Sequence, residues 1–427
     1  MHPSYQSQQN NLLDLWLAEW QDNRMAAAAT TLPAPEASTD RAGLTLLTVA
    51  HLVNDINQSV LPVMIPWLIS HRGLNLALAA SLVLAMNLLS SVVQPAFGYL
   101  SDKRSMAWVI PAAIVIATAG TALIGLAPNL PLMYLGAVIS GVGVAAFHPE
   151  GSRFSNYFAG KKRASGMSMF TVGGYLGFAA GPVLTTPLIL LFGLPGVAFL
   201  LVPAVVIAVM LWRELPRFEA ARSVAHHAHT QRAGDDDWRS FSIMTVVVAL
   251  RSMTFLAAVT FTPIFAIRVA HVNAGLASVA LFLLLLGGAI GTMFGGRLAD
   301  RVDRRRVVNI SLVLTTTFAA LLALAGTHAP LFALVAVLAL GFGASLGLSA
   351  GVLVVIGQEY LPKHIGIASG VTLGLANTIG GLAAPVFGWI GDTRGLVAVF
   401  ATVATFALLA FAGSFALRKP RVLAKTA

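Results

Sequence analysis

Gly98-Tyr-Leu-Ser-Asp102-Lys103-Arg104 and Gly296-Arg-Leu-Ala-Asp300-Arg301 are two copies of one short basic turn. Their aspartates stand 198 residues apart in a chain of 427, close to half its length. Each copy joins two long apolar stretches. A turn that recurs at this distance marks a duplicated unit, and its apolar flanks place that unit in a membrane.

The composition agrees. The chain is 57% hydrophobic and 10% charged, with a mean hydropathy of +0.80. Too few ionic groups remain to cover a soluble protein of this size. Apolar segments long enough to cross roughly 30 Å of hydrocarbon lie near 44–69, 78–100, 107–127, 131–158, 165–192 and 195–213. They resume near 241–268, 275–298, 307–327, 330–357, 367–391 and 396–417. The expected architecture is an all-α polytopic membrane protein of twelve transmembrane helices in two pseudo-symmetric six-helix bundles, 41–213 and 241–417. Residues 214–240 read as a solvated linker, with tails at 1–40 and 418–427. His226, His227 and His229 of the linker lack companion ligands, so no metal site is expected there.

Every Lys and Arg except Arg72, Arg251, Arg268 and Arg394 falls on one side of this arrangement, which predicts cytoplasmic termini. The net charge of +10 therefore reflects topology and does not call for a nucleic-acid partner. The chain has no cysteine, which excludes disulfide and thiol chemistry. No cleavable leader is expected, because residues 1–40 are polar and mixed in charge. Leu13, Trp16, Leu17 and Trp20 repeat at helical spacing, but Asp14, Glu19 and Asp22 oppose docking on an anionic leaflet, so this segment reads as an unanchored tail.

The duplication reaches further. Ala164-Ser-Gly-Met-Ser168 matches Ala368-Ser-Gly-Val-Thr372, each ahead of a Gly-rich helix with Pro182 or Pro385. Gly141-Val-Gly143 matches Gly341-Phe-Gly343, and Pro95-Ala-Phe-Gly98 echoes Pro385-Val-Phe-Gly388. The last pair fits an inverted three-helix repeat within each bundle.

Over roughly residues 41–417 the chain resembles the major facilitator superfamily. The Gly98…Arg104 turn is similar to that superfamily's signature after its second span, and Gly296…Arg306 to its repeat. A narrower likeness lies in His51-Leu-Val-Asn-Asp55-x-x-Gln58-Ser59 and Phe147-His-Pro-Glu-Gly-Ser-Arg153. Asp102-Lys-x-x-Met106-x-Trp108 and Val172-Gly-Gly-x-x-Gly177-x-x-x-Gly181-Pro182 add to it. Together these resemble the fosmidomycin-resistance efflux branch, whose members are proton-linked drug exporters of the bacterial inner membrane. The resemblance implies the major facilitator fold, drug efflux and antibiotic resistance. One feature departs from it. Drug antiporters of the superfamily often carry an Arg in the fourth span before a Gly-x-Gly-Ala-Ala stretch, and here that position is Ala137. Any coupling role of that Arg is absent or supplied elsewhere.

A charge at bilayer depth costs at least about 2.5–3.5 kcal/mol, so intramembrane charges are functional candidates. In the first span His51, Asn54, Asp55 and Gln58 fall at helical spacing on one face. The functional reading makes Asp55 a proton carrier tuned by His51, with Asn54 and Gln58 as substrate contacts. The structural alternative is a polar clamp between helices. In the fourth span, Pro149 frees the carbonyl of Ala145 and predicts a kink. His148 and Glu150 flank it as proton-coupling candidates, and Arg153 either gates Glu150 or pairs with it statically. Both readings stay open.

Arg251 lies within the seventh span, 200 residues beyond His51. It suits an anionic substrate, or else neutralises Asp55. Gly98, Asp102, Lys103, Arg104, Gly296, Asp300 and Arg301 read as gating or structural residues, capping a helix or bridging neighbouring turns. Gly181 and Pro182 belong to a close-packing helix face, and Glu359 to a solvated helix end.

These residues describe a proton-coupled antiporter that exports a small anionic or zwitterionic compound by alternating access. An importer or exchanger of a phosphorylated or carboxylated metabolite uses the same groups and is the alternative. A non-transporting scaffold gains nothing from charges buried along a path. No Gly-x4-Gly-Lys-Ser/Thr loop is present, so ATP-driven transport is not expected. Nor are an enzyme activity, a cofactor or a metal. The expected partners are the small-molecule substrate, protons and the lipid bilayer, with the chain acting as a monomer.

Overall fold

The computed structural model describes residues 39–74, 76–232, 235–328, 330–375 and 383–419. Among them the regular structure is helical. The first half contains α1 (Arg41–Arg72), α2 (Leu76–Lys103), α3 (Val109–Leu126), α4 (Leu130–Ala159), α5 (Arg163–Phe192) and α6 (Leu201–Arg213). A 3-10 turn, Leu194–Leu200, leads into α6. After α7 (Leu215–Arg232) the second half follows: α8 (Trp238–Arg268), α9 (Ala274–Ala299), α10 (Arg304–Ala325), α11 (Phe332–Leu348), α12 (Ala350–Tyr360), α13 (Ile365–Gly370) and α14 (Ala384–Ser414).

Ten helices among the described residues are long and apolar enough to cross a membrane. The polar stripe of α1 lowers the mean hydropathy of that 32-residue helix, which keeps it out of the ten. The eleventh span starts at α13 and runs partly through residues outside the described set. Helix α14 is broken at Gly395, whose φ of 81° is non-helical, where the eleventh span gives way to the twelfth. Large apolar side chains such as Leu84, Val183, Leu191 and Phe294 are exposed, as lipid-facing groups are. The residue 1–38 tail and its Leu/Trp pattern lie outside the described residues.

Helix starts carry their own punctuation. Asp40 caps α1 through the Gly43 N–H at 3.0 Å, and Asp237 caps α8 through the Ser240 N–H at 2.9 Å. The Asp40 N–H donates to the Phe158 carbonyl, and the Asp237 N–H donates to the Tyr360 carbonyl. These matched contacts set the true repeat register: 197 residues between α1 and α8, and 202 between the fourth and tenth spans. The 202 offset returns at the caps Asn129 and Leu331, and at Lys162 and His364.

This register corrects three sequence matches. Gly141 packs on Met86 of α2 whereas Gly341 packs on Phe318 of α10, so the partner of Gly141 is Gly343, which meets Leu284 of α9. Arg251 is the counterpart of Asn54, and His51 corresponds to Val248. The Ala164 and Ala368 segments are likewise two residues out of step. A π-helical turn, Val371–Leu375, follows α13 in the second half.

The linker also differs from its reading as a solvated loop. Leu215, Phe218 and Ala221 recur every three residues and turn one face of α7 onto the first half's core. The Phe218 ring lies 4.9 Å from Phe154 and 5.0 Å from Phe158. Arg217 fixes the same helix by donating to Asp40 at 2.5 and 2.9 Å. The linker histidines sit on this helix, outside the described side chains.

Candidate functional site: a central cavity above a two-sided clamp

The helices α1, α2, α4 and α5 of the first half face α8, α9 and α12 of the second across a cavity of about 190 Å³. His51, Asp55 and Gln58 line it from α1, and His148 from α4. Their counterparts Val248, Ser252, Phe255 and Ala350 line the opposite wall. The acid and both imidazoles therefore stand on one wall, and the positions that correspond to them on the other carry no titratable group.

Asp55 is 6% exposed and lies between two imidazoles. His51 Nε2 stands 3.1 Å from its Oδ2, and His148 Nε2 stands 3.3 Å from its Oδ1. The Nδ1 atoms of His51 and His148 lie 2.7 Å from the Phe170 carbonyl and 2.8 Å from the Val144 carbonyl. Asn54 donates to Asp55 Oδ1 at 3.0 Å but is fully buried and does not line the cavity, so its assignment as a substrate contact gives way to a supporting one. Gly174 of α5 faces the cluster, where a Cβ would lie 2.9 Å from Asp55 Oδ2 and His51 Nε2.

Arg251 enters from α8 and is 8% exposed. It donates to the Ser349 hydroxyl at 3.2 Å and to the Leu346 carbonyl. Among the described residues it forms no ion pair, so it does not neutralise Asp55, which the two histidines hold instead. A guanidinium on a cavity wall without a carboxylate partner is suited to an anion. Gln94 and Tyr175 also line this space and were not singled out in the sequence. A lone glutamine one residue before Pro95 in an apolar span was the available signal for the first.

Glu150 and Arg153 lie away from the cavity, at the end carrying the basic turns. Helix α4 continues through Pro149 as a single helix. Arg153 Nη1 is 3.6 Å from Glu150, but its closer partners are Asp102 and the Ser101 carbonyl. The Asp102 carboxylate also accepts the N–H groups of Gly366 at 2.8 Å and Ile367 at 3.1 Å, capping α13 of the other half. Asp300 mirrors it, accepting from Ala164 at 3.1 Å and Ser165 at 2.9 Å at the start of α5. Both signature aspartates thus anchor their own half to a helix start in the other, where the helix dipole favours a negative charge.

Gly98 and Gly296 permit the approach, since a Cβ on Gly98 would strike the Gly366 carbonyl and one on Gly296 the Ala164 carbonyl and Ser168. Asn156 donates to Gln358 between them. These two are register partners, so their contact marks the pseudo-twofold axis. Glu359 is held by Arg304 at 2.9 Å rather than solvated. Lys103, Arg104 and Arg301 make no clamp contact among the described residues. Gly181 packs on Ser59 of α1, and Pro182 follows it on the same helix.

The Major Facilitator Superfamily profile matches residues 47–385 and 271–426. The chain belongs to the major facilitator superfamily. It is 33% identical over 380 residues to the uncharacterized MFS-type transporter YfnC of Bacillus subtilis (strain 168), covering 86% of this chain and 90% of that one. To the fosmidomycin resistance protein of Escherichia coli (strain K12) it is 28% identical over 390 residues, covering 90% and 94%. The fold matches the E. coli fucose:proton symporter FucP with a TM-score of 0.70 at 14% identity, covering 90% of this chain and all of that one. The proton:xylose symporter XylE gives 0.71 at 15% identity, covering 88% and 96%. This major facilitator protein is a multi-pass membrane transporter, and its family carries out no enzymatic reaction.

Proposed function

We propose that this transporter is a proton-coupled antiporter of the bacterial inner membrane that exports a small anionic or zwitterionic compound of the fosmidomycin type. The observation that carries this reading is the arrangement of the cavity: Asp55 between His51 and His148 on one wall, and Arg251, which has no ion-pair partner among the described residues, on the other. The likeness to the E. coli fosmidomycin resistance protein along 90% of the chain supports the direction.

Asp55 and its histidines take up a proton from outside, and Arg251 holds the oxyanion of the cargo. Inward movement of one positive charge supplies roughly 2.3 kcal/mol per 100 mV, to which the pH gradient adds. With cytoplasmic termini, the Asp102 and Asp300 clamp seals the cytoplasmic end of the path. Glu150, behind Arg153 and within electrostatic reach of Arg222, acts on that clamp rather than on cargo. Each chain holds a whole cavity and works as a monomer.

The test compares a deletion strain with an overexpressing strain on a panel of phosphonate, phosphate and carboxylate compounds. Hypersensitivity on deletion and resistance on overexpression are expected. Loss of uptake on deletion, without hypersensitivity, would replace export by import.

A further inference from the structure

We propose that His51, Asp55 and His148 form a binding site for a divalent transition-metal cation of the Zn2+ class, with one coordination position open to the cavity. The first support is spacing. Four ligands at about 2.0–2.1 Å from a tetrahedral metal stand roughly 3.3–3.4 Å from one another. Here the His51 and His148 Nε2 atoms are 3.3 Å apart, with His51 Nε2 3.1 Å from Asp55 Oδ2 and His148 Nε2 3.3 Å from Asp55 Oδ1, so the carboxylate offers one oxygen to each ring. The three groups are 4%, 6% and 6% exposed, so the spacing belongs to a packed interior and not to loose surface chains.

The second support is the direction of the lone pairs. A backbone carbonyl only accepts, so the contacts of Nδ1 with Phe170 and Val144 place a hydrogen on Nδ1 of both rings. Each neutral ring then turns a bare Nε2 toward Asp55. Metal-binding histidines are oriented in this way, with the remote N–H on a carbonyl. Asn54 completes the support by donating to Asp55 Oδ1 at 3.0 Å. Gln94 stands with its amide nitrogen 3.3 Å from His148 Nδ1, and turning that amide over about its last bond brings its oxygen to the N–H instead.

Hydrogen-bond accounting points the same way. A proton on one Nε2 joins that ring to Asp55 and leaves the other bare Nε2 against a carboxylate oxygen. Protons on both rings set two cationic N–H groups 3.3 Å apart. A single divalent cation satisfies all three groups at once. Gly174 keeps the ligand face clear, since a Cβ there would lie 2.9 Å from both Asp55 Oδ2 and His51 Nε2. An oxyanion entering from the cavity would complete the tetrahedron on the side of Arg251. The site escapes a sequence search because two ligands come from α1 and the third from α4, 93 residues later.

The inference rests on the same residues as the coupling reading, with the cation and the proton competing for them, but it has a separate readout. The full-length purified protein is titrated with Co2+ alone, then with Zn2+ in competition. One Co2+ per chain with the visible absorption of four-coordinate cobalt is expected, displaced by Zn2+. Affinity should fall by at least about tenfold in His148→Ala and in Gly174→Ala, the second of which keeps every ligand. A variant with His226, His227 and His229 all changed to Ala should bind as the parent does. No saturable uptake, binding unaffected by either site variant, or binding lost in the linker variant would each overturn the metal site. Such an outcome beside a loss of proton flux in Asp55→Asn would leave coupling standing. Metal uptake beside unchanged flux in Asp55→Asn would leave only the metal site.

Discussion

The clamp and the cavity are built from the same duplicated helices, yet they treat the duplication in opposite ways. At the clamp, Asp102 and Asp300 do the same work from opposite halves, each capping a helix start across the interface. In the cavity, His51, Asp55 and His148 face Val248, Ser252 and Ala350. A device that opens and closes needs both halves to move alike, and matched contacts serve that. A site that binds a polar cargo and moves protons needs a single focus of charge, and a matched copy would bury a second charged cluster at the cost of its desolvation.

The sharpest way to break the comparison lies within the clamp, where one asymmetry remains. Asp102 pairs with buried Arg153, whose register partner is Val355, while the bonds Asp300 accepts among the described residues come from backbone N–H groups. Asp102→Asn removes the nearer carboxylate of buried Arg153, leaving Glu150 at 3.6 Å, and weakens the cap on α13, at a cost of about 3 kcal/mol to the closed clamp. Asp300→Asn loses a cap worth about 0.5–2 kcal/mol. Nitroxides at Lys103 and Lys363, introduced as cysteines into a chain that has none, should report a larger separated population for Asp102→Asn. Equal shifts would remove the special role of Arg153.

Cargo binding comes next in size. Arg251→Gln removes the charged donor of the cavity, which is worth about 1.5–3 kcal/mol, or roughly 10–100-fold in Kd for an anionic compound. Binding of the same compound to Asn156→Ala, away from the cavity, should be unchanged. That second variant instead weakens the closed clamp by about 1 kcal/mol, visible in the same nitroxide distances.

The smallest effect belongs to a neighbour of the clamp that takes no part in it. The hydrogen bond from Arg305 holds the Asp303 carboxyl below the usual carboxylate range. A depressed value gives stability that is complete above the unfolded value of about 4 and is lost as pH falls through the lower folded one. The thermal-shift difference between the parent and Asp303→Asn should therefore stay flat from roughly pH 5 to 8 and shrink only in stronger acid. A slope across neutral pH would tie Asp303 to a titration elsewhere.

The fold was legible because membrane spans announce themselves by length and apolarity, and the repeated turn located the two halves. The clamp was half legible. The aspartates stood out, but each caps backbone N–H groups in the other half, which carry no side-chain signature, and the pairing of Asp102 with Arg153 depends on how α2 and α4 pack. Unequal loop lengths shift the register from 197 at α1 and α8 to 202 at the fourth and tenth spans, so a fixed offset of 200 paired Arg251 with the wrong residue. Asp55 and His51 were visible at four-residue spacing. Their meeting with His148 was not, since it depends on how α1 and α4 pack. The linker was misread because Phe218 is one aromatic among charges, and its burial comes from a tertiary contact.

The division between clamp and cavity is tested most directly by counting protons per cargo molecule in proteoliposomes under an imposed pH gradient, in Asp55→Asn and Asp102→Asn side by side. The ratio is expected to fall to zero in Asp55→Asn while cargo exchange without a gradient persists. In Asp102→Asn the rate should change and the ratio should not. An unchanged ratio in Asp55→Asn, or a lost one in Asp102→Asn, would contradict the assignment of coupling to the asymmetric cavity and movement to the symmetric clamp.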